Sequence, residues 1–179
     1  MLITLESIFP KAGIHQLIRR HAHQNQRIYL VGGCIRDLLL GQRSRDIDFI
    51  VNGDAIHLAR QVAAELNAGF FVLDDERKTA RVILHDPQGG RYYLDFARMR
   101  GFHLEQDLKA RDFTVNALAI DLLEENHLID PLNGAVDLRN KIIRACGQDS
   151  FQQDPIRVLR AVRFARQLGF QIEKQTLQW

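Results

Sequence analysis

The chain has 179 residues, 46% hydrophobic and 26% charged, with 24 basic side chains against 22 acidic ones and a formal charge of +2 at pH 7. That length and balance describe a globular chain with room for one well-cored domain and part of another, and exclude a disordered or fibrous polymer. No stretch approaches the roughly 18 apolar residues of a membrane helix, and MLITLESIFPKAG lacks the basic end and apolar run of a signal peptide, so a cytoplasmic chain without membrane contact is expected.

In chain order, helical spacing predicts a first helix over Ile14 to Gln24. The strand RIYLV follows and ends at Gly32 and Gly33, where a short helix runs through Leu40 until Gly41 terminates it. DIDFIV is the next strand. Asp54 is a good N-cap for an amphipathic helix to Asn67, whose apolar positions Ile56, Ala59, Val62, Ala63 and Leu66 recur at helical spacing. Three strands come next, FFVLD, ARVILHD and YYLDFAR, the last two joined by the turn DPQGG. LEQDLKAR reads as helix, FTVNALAID fits helix or strand, and HLID-PLNG-AVDLRNK-IIRA reads as strand, turn, short helix, strand. Asp154 and Pro155 then open a helix to about Leu168, closed by Gly169. A further helix start near Trp179 gives the chain the look of the front part of a longer protein. These elements predict an α+β fold, a mixed sheet flanked by helices, followed by the start of a helical region.

The cysteines, Cys34 and Cys146, stand outside any metal-ligand spacing, so two buried free thiols are expected. The small net charge says little about partners, but its distribution does. From Arg139 to Arg166 there are seven basic residues and only two acidic ones, so that end can face a polyanion.

Chemistry concentrates first in VGGCIRDLLLGQRSRDIDFI. In a strand, residues two apart project from one face, so Asp46 and Asp48 reach the same point while Ile47 and Phe49 form the opposite, apolar face. Two such carboxylates suit a hard cation that serves phosphoryl or nucleotidyl transfer. Gly32 and Gly33 let a phosphate approach the backbone at a helix start, and Arg36 can fork onto it; the competing reading is a tight turn with Arg36 and Asp37 as an internal ion pair. The strand holding Asp95 offers a third carboxylate, as ligand or base, against a solvent-facing aspartate. Around Arg111, Asp112 and Asn116, ribose and phosphate recognition competes with Asp112 capping a short helix beside a surface Arg111, and the cap is favoured.

The last long helix is the second strong signal. On a helical wheel Val158, Leu159, Val162, Ala165 and Leu168 share one side, with Arg157, Arg160 and Arg163 opposite and Arg166 at the border. Four arginines without a lysine favour planar, forked recognition over a merely solvated face. Asp154 and Arg157, one turn apart, offer an acceptor beside a donor fork, which matches the amine and ring nitrogen of cytosine or adenine and not the reversed pattern of uracil or guanine. The alternative makes Asp154 only a cap. His21-x-His23 and His85-Asp86 lack partner clusters and are set aside.

Taken together, VGGCIRDLLLG…RDIDFIV, RDFTVNALAI, DPLNGAVDL and DPIRVLRAVRFARQLGF resemble, in order, the motifs of class II tRNA nucleotidyltransferases and bacterial poly(A) polymerases. The resemblance implies a polymerase-β-like nucleotidyltransferase head over residues 1–145 and the start of an all-α neck over 146–179. It implies that Asp46 and Asp48 hold Mg²⁺, that Asp95 is the third acidic position, and that Gly32, Gly33 and Arg36 hold the triphosphate. Arg111, Asp112 and Asn116 would meet sugar and phosphates, Asp154 and Arg157 would select CTP and ATP, and Arg160 and Arg163 would extend the nucleotide contacts. The partners implied are CTP or ATP and the 3′ end of tRNA, and no segment marks a protein partner. Three departures stand out: Gln153 where the family has Glu, Ala110 for a frequent Arg, and only five residues between Arg98 and Leu104, an interval that resembles CC-adding enzymes.

Overall fold

The structure is a computed structural model that describes residues 5, 8–23, 25–86, 88–124 and 127–179. Gln24 at the end of the expected first helix and Pro87 in the expected turn lie outside the described residues. Backbone contacts divide the chain into two compact units, one of Met1–Met99 with Ala119–Leu128, the other of Arg100–Leu118 with Ile129–Trp179.

The first unit opens with α1 (Ile14–Arg20), shorter than its periodicity predicts. Past it the hydrogen bonds tighten, Ala22 N–H reaching back only to Arg19 O, and the side chains of Arg20 and His21 both turn to Glu65, at 2.6 and 2.5 Å. The sheet strands are β1 (Ile28–Val31), β2 (Asp46–Val51), β3 (Gly69–Asp74), β4 (Thr79–His85), β5 (Arg91–Arg98), β6 (Ala119–Asp121) and β7 (Leu128–Ile129), in the spatial order β3-β4-β5-β2-β1-β6-β7. β2 and β5 are parallel; β3-β4, β4-β5, β1-β2 and β1-β6 are antiparallel. The parallel pair needs a crossover, and α3 (Ala55–Leu66) begins it, with Asp54 capping His57 N–H at 2.9 Å and Asn67 closing it in the left-handed conformation.

Register sorts the side chains of this sheet. Ile47 pairs with Leu94, Phe49 with Phe96, and Val82 and Ala80 sit opposite Leu94 and Phe96 across β5. All six are buried, and the Phe49 and Phe96 rings stack 4.7 Å apart. Each ring contributes about 1.5–3 kcal/mol by leaving water. Because side chains alternate, the residues between them, Asp46, Asp48, Tyr93, Asp95 and Arg81, must share the other face. The apolar core thereby determines where the polar row stands.

The second unit contains α4 (Leu104–Lys109), a 3-10 turn (Thr114–Asn116), α5 (Gly134–Arg139), a parallel pair of β8 (Ile142–Ile143) and β9 (Gln171–Ile172), α6 (Ser150–Gln153), α7 (Ile156–Leu168) and α8 (Lys174–Gln178). The ambiguous FTVNALAID is thus a 3-10 turn followed by strand β6. Leu108, Phe113, Leu138, Ile143, Ala161 and Phe164 are buried in this unit, with Phe164 edge-on to Phe113 at 5.9 Å. Asp130 accepts hydrogen bonds from Gly134 N–H and Ala135 N–H at 2.7 and 2.9 Å, so the DPLNG segment supplies the cap for α5. Glycine is required at 134, since a Cβ there would stand 2.1 Å from the Thr114 carbonyl oxygen.

The wheel drawn for α7 is overturned at Arg157 and at Val158, Leu159 and Val162, while Arg163 is exposed as drawn. Val158, Leu159 and Val162 are 51%, 70% and 58% exposed, whereas Arg157, Ala161 and Phe164 are buried. Ala161 and Phe164 supply the apolar inward contacts, and the arginines on that side find acceptors inside the unit.

Candidate active site

Asp46 and Asp48 lie on β2, the strand between β1 and β5, with Asp46 exposed and Asp48 half-buried. β2 and β5 run in register, so Asp48 stands beside Asp95, and Asp95 in turn stands opposite Arg81 on β4. The Asp95 carboxylate is bound at both oxygens: Arg81 Nε donates to Oδ1 and Nη2 to Oδ2, each at 2.7 Å. The Arg81 guanidinium also lies 4.7 Å from the centre of the Tyr93 ring. Hydrogen bonding to Asp95 holds Arg81 above its ordinary pKa against the cost of burial, with smaller contributions from the charges of Asp95 and Asp46. Among the described residues no three His, Cys, Asp or Glu side chains are gathered as a ready metal cage.

At the β1 end, Gly32 (φ 80°, ψ −138°) adopts a conformation open to glycine, and α2 (Gly33–Leu39) begins directly after it. Arg36 is buried beneath this turn. A Cβ on Gly33 would sit 3.3 Å from Arg36 Nη2, and the guanidinium donates to Asp37 Oδ1 through Nε at 2.8 Å and Nη2 at 2.7 Å. The internal ion pair is therefore present, and Arg36 supports the glycine turn from below. The Cys34 thiol in the same helix is pushed up to about 12, first by burial and then by the charge of Asp48. Cys146 is also raised to about 12, mainly by burial and next by Asp112.

In the second unit, Asp112 forms a network rather than a simple cap. Its Oδ1 accepts from Phe113 N–H at 2.8 Å and Asn116 Nδ2 at 3.1 Å, while Oδ2 accepts from Arg160 Nε at 2.9 Å and Nη2 at 2.6 Å. Arg111 faces elsewhere, its Nε in ion-pair contact with Asp107 at 3.5 Å and its Nη1 3.5 Å from Asn116 O. The expected capping of the 3-10 turn by Asp112 is not formed, since no side chain caps that turn.

Arg157 is 9% exposed and anchored at one end. Nη1 donates toward Ser150 Oγ (2.9 Å), Arg111 O (3.2 Å) and Ser150 O (3.4 Å), and Nη2 donates to Ala110 O (2.8 Å). A guanidinium has five N–H groups, so Nη1 is fully engaged while Nε–H and one Nη2 hydrogen make no hydrogen bond among the described residues. Asp154 Oδ2 lies 3.7 Å from that Nε, and Asp154 Oδ1 accepts from Ile156 N–H at 3.3 Å. Asp154 is extended and Pro155 already helical, so the Asp-Pro pair starts the helix as its chemistry predicts. Arg163 is exposed and lies 4.8 Å from the Phe164 ring centre; with Ile156, Leu159 and Arg160 it lines a groove of about 290 Å³ along α7.

The side chains that organise these sites include several that motif reading passes over. Arg81 carried only a weak signal, as the one charged residue inside the run ARVIL; its pairing with Asp95 depends on the register of β4 and β5. Ser150 and Asp137 carried none: Ser150 meets Arg157, and Asp137 meets Arg144, seven residues on at a spacing that is neither a strand nor a helix-capping pattern, while Thr114, the other partner of Asp137, lies 23 residues away. The two set-aside histidine motifs are structural: His21 pairs with Glu65, and the Asp86 of His85-Asp86 accepts from Gln88 N–H and Gly90 N–H in its own turn.

A sheet of this order with paired aspartates on a central strand, followed by an arginine-bearing helix, defines a nucleotidyltransferase head. The family model described as the poly A polymerase head domain matches residues 28–104 and 91–144, and the chain belongs to that family, within the superfamily of class II tRNA nucleotidyltransferases and poly(A) polymerases. A CC-adding tRNA nucleotidyltransferase of Geobacter sulfurreducens is 46% identical over 149 residues, covering 83% of this chain and 34% of that protein. An A-adding tRNA nucleotidyltransferase of Aquifex aeolicus is 40% identical over 167 residues, covering 84% of this chain and 19% of that protein. Among solved structures, a CCA-adding enzyme with ATP superposes with a TM-score of 0.85 at 36% identity, over 96% of this chain and 42% of that one. The Thermotoga maritima CCA-adding enzyme complexed with tRNA gives 0.79 at 37%, over 94% and 41%. The chain thus spans about a third of the length of the first of these relatives. No helix among the described residues is long and apolar enough to cross a membrane.

Proposed function

We propose that the chain is the nucleotide-transferring part of a template-independent RNA nucleotidyltransferase that adds C, A or both from CTP and ATP to the 3′ end of tRNA. The observation that carries this reading is the pair Asp46 and Asp48 on one polar face of a central strand, beside Asp95 and over a fully buried apolar face. Two carboxylates on one polar face suit Mg²⁺, which keeps waters and takes its remaining ligands from phosphates. When bound there, the ion polarises the α-phosphate and neutralises the charge that develops on it. The chain's own residues do the rest. Asp154 accepts from the base amine, and the Nε edge of Arg157 donates to the adjacent ring nitrogen, while Ser150 and the carbonyls of Ala110 and Arg111 keep the guanidinium in place. Gly32 and Gly33 admit the triphosphate, with Arg36 holding their turn.

The finer reading is CC addition, supported by the five-residue interval between Arg98 and Leu104. The alternatives are a poly(A) polymerase, or a nucleotide-binding fragment inert without further domains. The test supplies the intact protein with tRNAs ending before CCA, at C and at CC, gives each nucleotide separately, and sequences the ends. Addition that stops after two C residues is expected; long A-tails on generic RNA would favour the polymerase, and incorporation of all four nucleotides alike would overturn the role of Asp154 and Arg157. Replacing both Asp46 and Asp48 with Ala should abolish transfer with no change in the circular dichroism spectrum, and retained transfer would sink the metal assignment.

A further inference from the structure

Three charged side chains stand in one row across three neighbouring strands: Arg81 on β4, Asp95 on β5 and Asp48 on β2, with Asp46 two residues along the same face. A carboxylate that is to ligate a metal needs an oxygen turned to it. Asp95 has both oxygens taken by one planar fork at 2.7 Å, in parallel Nε and Nη2 bonds, the strongest arrangement open to an Arg and a carboxylate. The fork is itself fixed by the Tyr93 ring against it, and neither partner is widely exposed, at 33% for Arg81 and 20% for Asp95. Nothing local requires an arginine here: Val82 and Leu84, on the other face of β4, meet the needs of the core. A cation beside the acidic row is, on its face, counterproductive for a site that must attract divalent ions, so its presence calls for a role.

We propose that Arg81 is a positioning residue that withholds Asp95 from the metal set, so that divalent ions rest on Asp46 and Asp48 alone and Asp95 completes no third ligand. The inference rests on the metal assignment made above and narrows it. Arg81 takes one negative charge out of the row and keeps divalent affinity moderate when no nucleotide is bound. The phosphates of the incoming nucleotide then supply the missing ligands, so the ion is held firmly only together with its substrate.

Divalent binding to the chain can be read without any turnover, from the loss of the free Mn²⁺ signal in electron paramagnetic resonance titrations. Arg81→Met removes the fork while keeping a stem of similar length. It should tighten Mn²⁺ binding about tenfold, the size expected for removing one unit charge beside a divalent ion in a water-like dielectric. Asp95→Asn alone leaves the Arg81 charge unneutralised and should weaken binding by up to about tenfold, by the same Coulomb argument, and the double substitution should return to the wild-type affinity, because the freed carboxylate is the source of the gain. Arg81→Lys, a single donor that cannot hold both oxygens, should fall between wild type and Arg81→Met, and it keeps the comparison usable if the methionine variant does not fold.

An unchanged or weaker affinity in Arg81→Met overturns the proposal, as does a gain that survives Asp95→Asn or a loss of about a hundredfold or more in Asp95→Asn alone, the mark of a lost ligand rather than of one unpaired charge. Asp46→Asn and Asp48→Asn separate the two levels. If they weaken Mn²⁺ binding while the Arg81 variants behave like wild type, only the role of Arg81 fails; if they leave it unchanged, the metal assignment itself fails.

Discussion

The Asp112–Arg160 pair offers the sharpest test of how the second unit is built, because Arg160 reads from sequence as a nucleotide contact and the structure joins it to a buried carboxylate. Asp112 is 7% exposed at its side chain and Arg160 41%. An open pair contributes about 0.2–1 kcal/mol, and breaking a fully buried one costs about 3–5 kcal/mol. With one end in solvent and two donors converging on one oxygen, the loss on Arg160→Met lies between these limits, at about 2 kcal/mol. Phe113 N–H and Asn116 Nδ2 still hold Oδ1 in that variant, which keeps the cost below the buried limit. The methionine stem preserves packing near the Phe164 ring, so the change isolates the charge.

A double-mutant cycle with Asp112→Asn, followed by urea unfolding, should give a coupling of about 1.5 kcal/mol. Coupling below about 0.5 kcal/mol would refute the view that the pair is a structural unit. The cycle also has a kinetic arm. If Arg160 serves the nucleotide through Asp112, either substitution should raise KM for CTP by a similar factor and the double should raise it no further, whereas two independent contacts would multiply.

Two further outcomes follow from local geometry. Gly134→Ala forces a Cβ toward a backbone oxygen that lies 2.1 Å away, so Thr114 or α5 must move; a loss of about 3 kcal/mol in the urea-derived stability is expected, and a loss under 1 kcal/mol would show the two segments free to separate. The thiols of Cys34 and Cys146 are raised to about 12 from an ordinary 9.0. Above pH 9 the unfolded chain releases protons that the folded one retains, so stability is whole below that pH and falls as pH climbs toward 12, by about 1.4 kcal/mol per unit for each thiol. Cys34→Ala should flatten the slope of unfolding free energy above pH 9 by about half, and an unchanged slope would remove the thiol from the account.

Strands and caps were legible because each is written in adjacent residues. β2 occupies the six residues of DIDFIV, and alternation alone put Ile47 and Phe49 on the buried face opposite the two aspartates. Asp54 and Asn67 bound α3 through bonds within their own turns. What was illegible depended on register or on long loops. Arg81 meets Asp95 only because the β4–β5 hairpin closes where it does; a slip of one residue would turn Arg81 to the core. The early end of α1 depended on Glu65, more than forty residues away, which draws Arg20 and His21 out of the helical line.

The four arginines of α7 show why a wheel can misplace a face. It ranks side chains by hydrophobicity and therefore sends arginine outward, but hydrophobicity is a cost of losing water, and that cost vanishes wherever acceptors replace it. Ala110 O, Arg111 O, Ser150 O and Ser150 Oγ replace it for Arg157, and the Asp112 carboxylate does so for Arg160. Arg163, with the Phe164 ring beside it, and Arg166 stay in solvent. The planar forks are in use, as arginine without lysine suggests, yet their acceptors belong to the protein. A lysine at 157 has one nitrogen to offer and would leave some of these carbonyls unmet while giving up the free Nε edge beside Asp154. The same geometry that buries this arginine thus leaves one of its edges beside Asp154, so that packing and the base selection proposed for it would be demands on a single side chain.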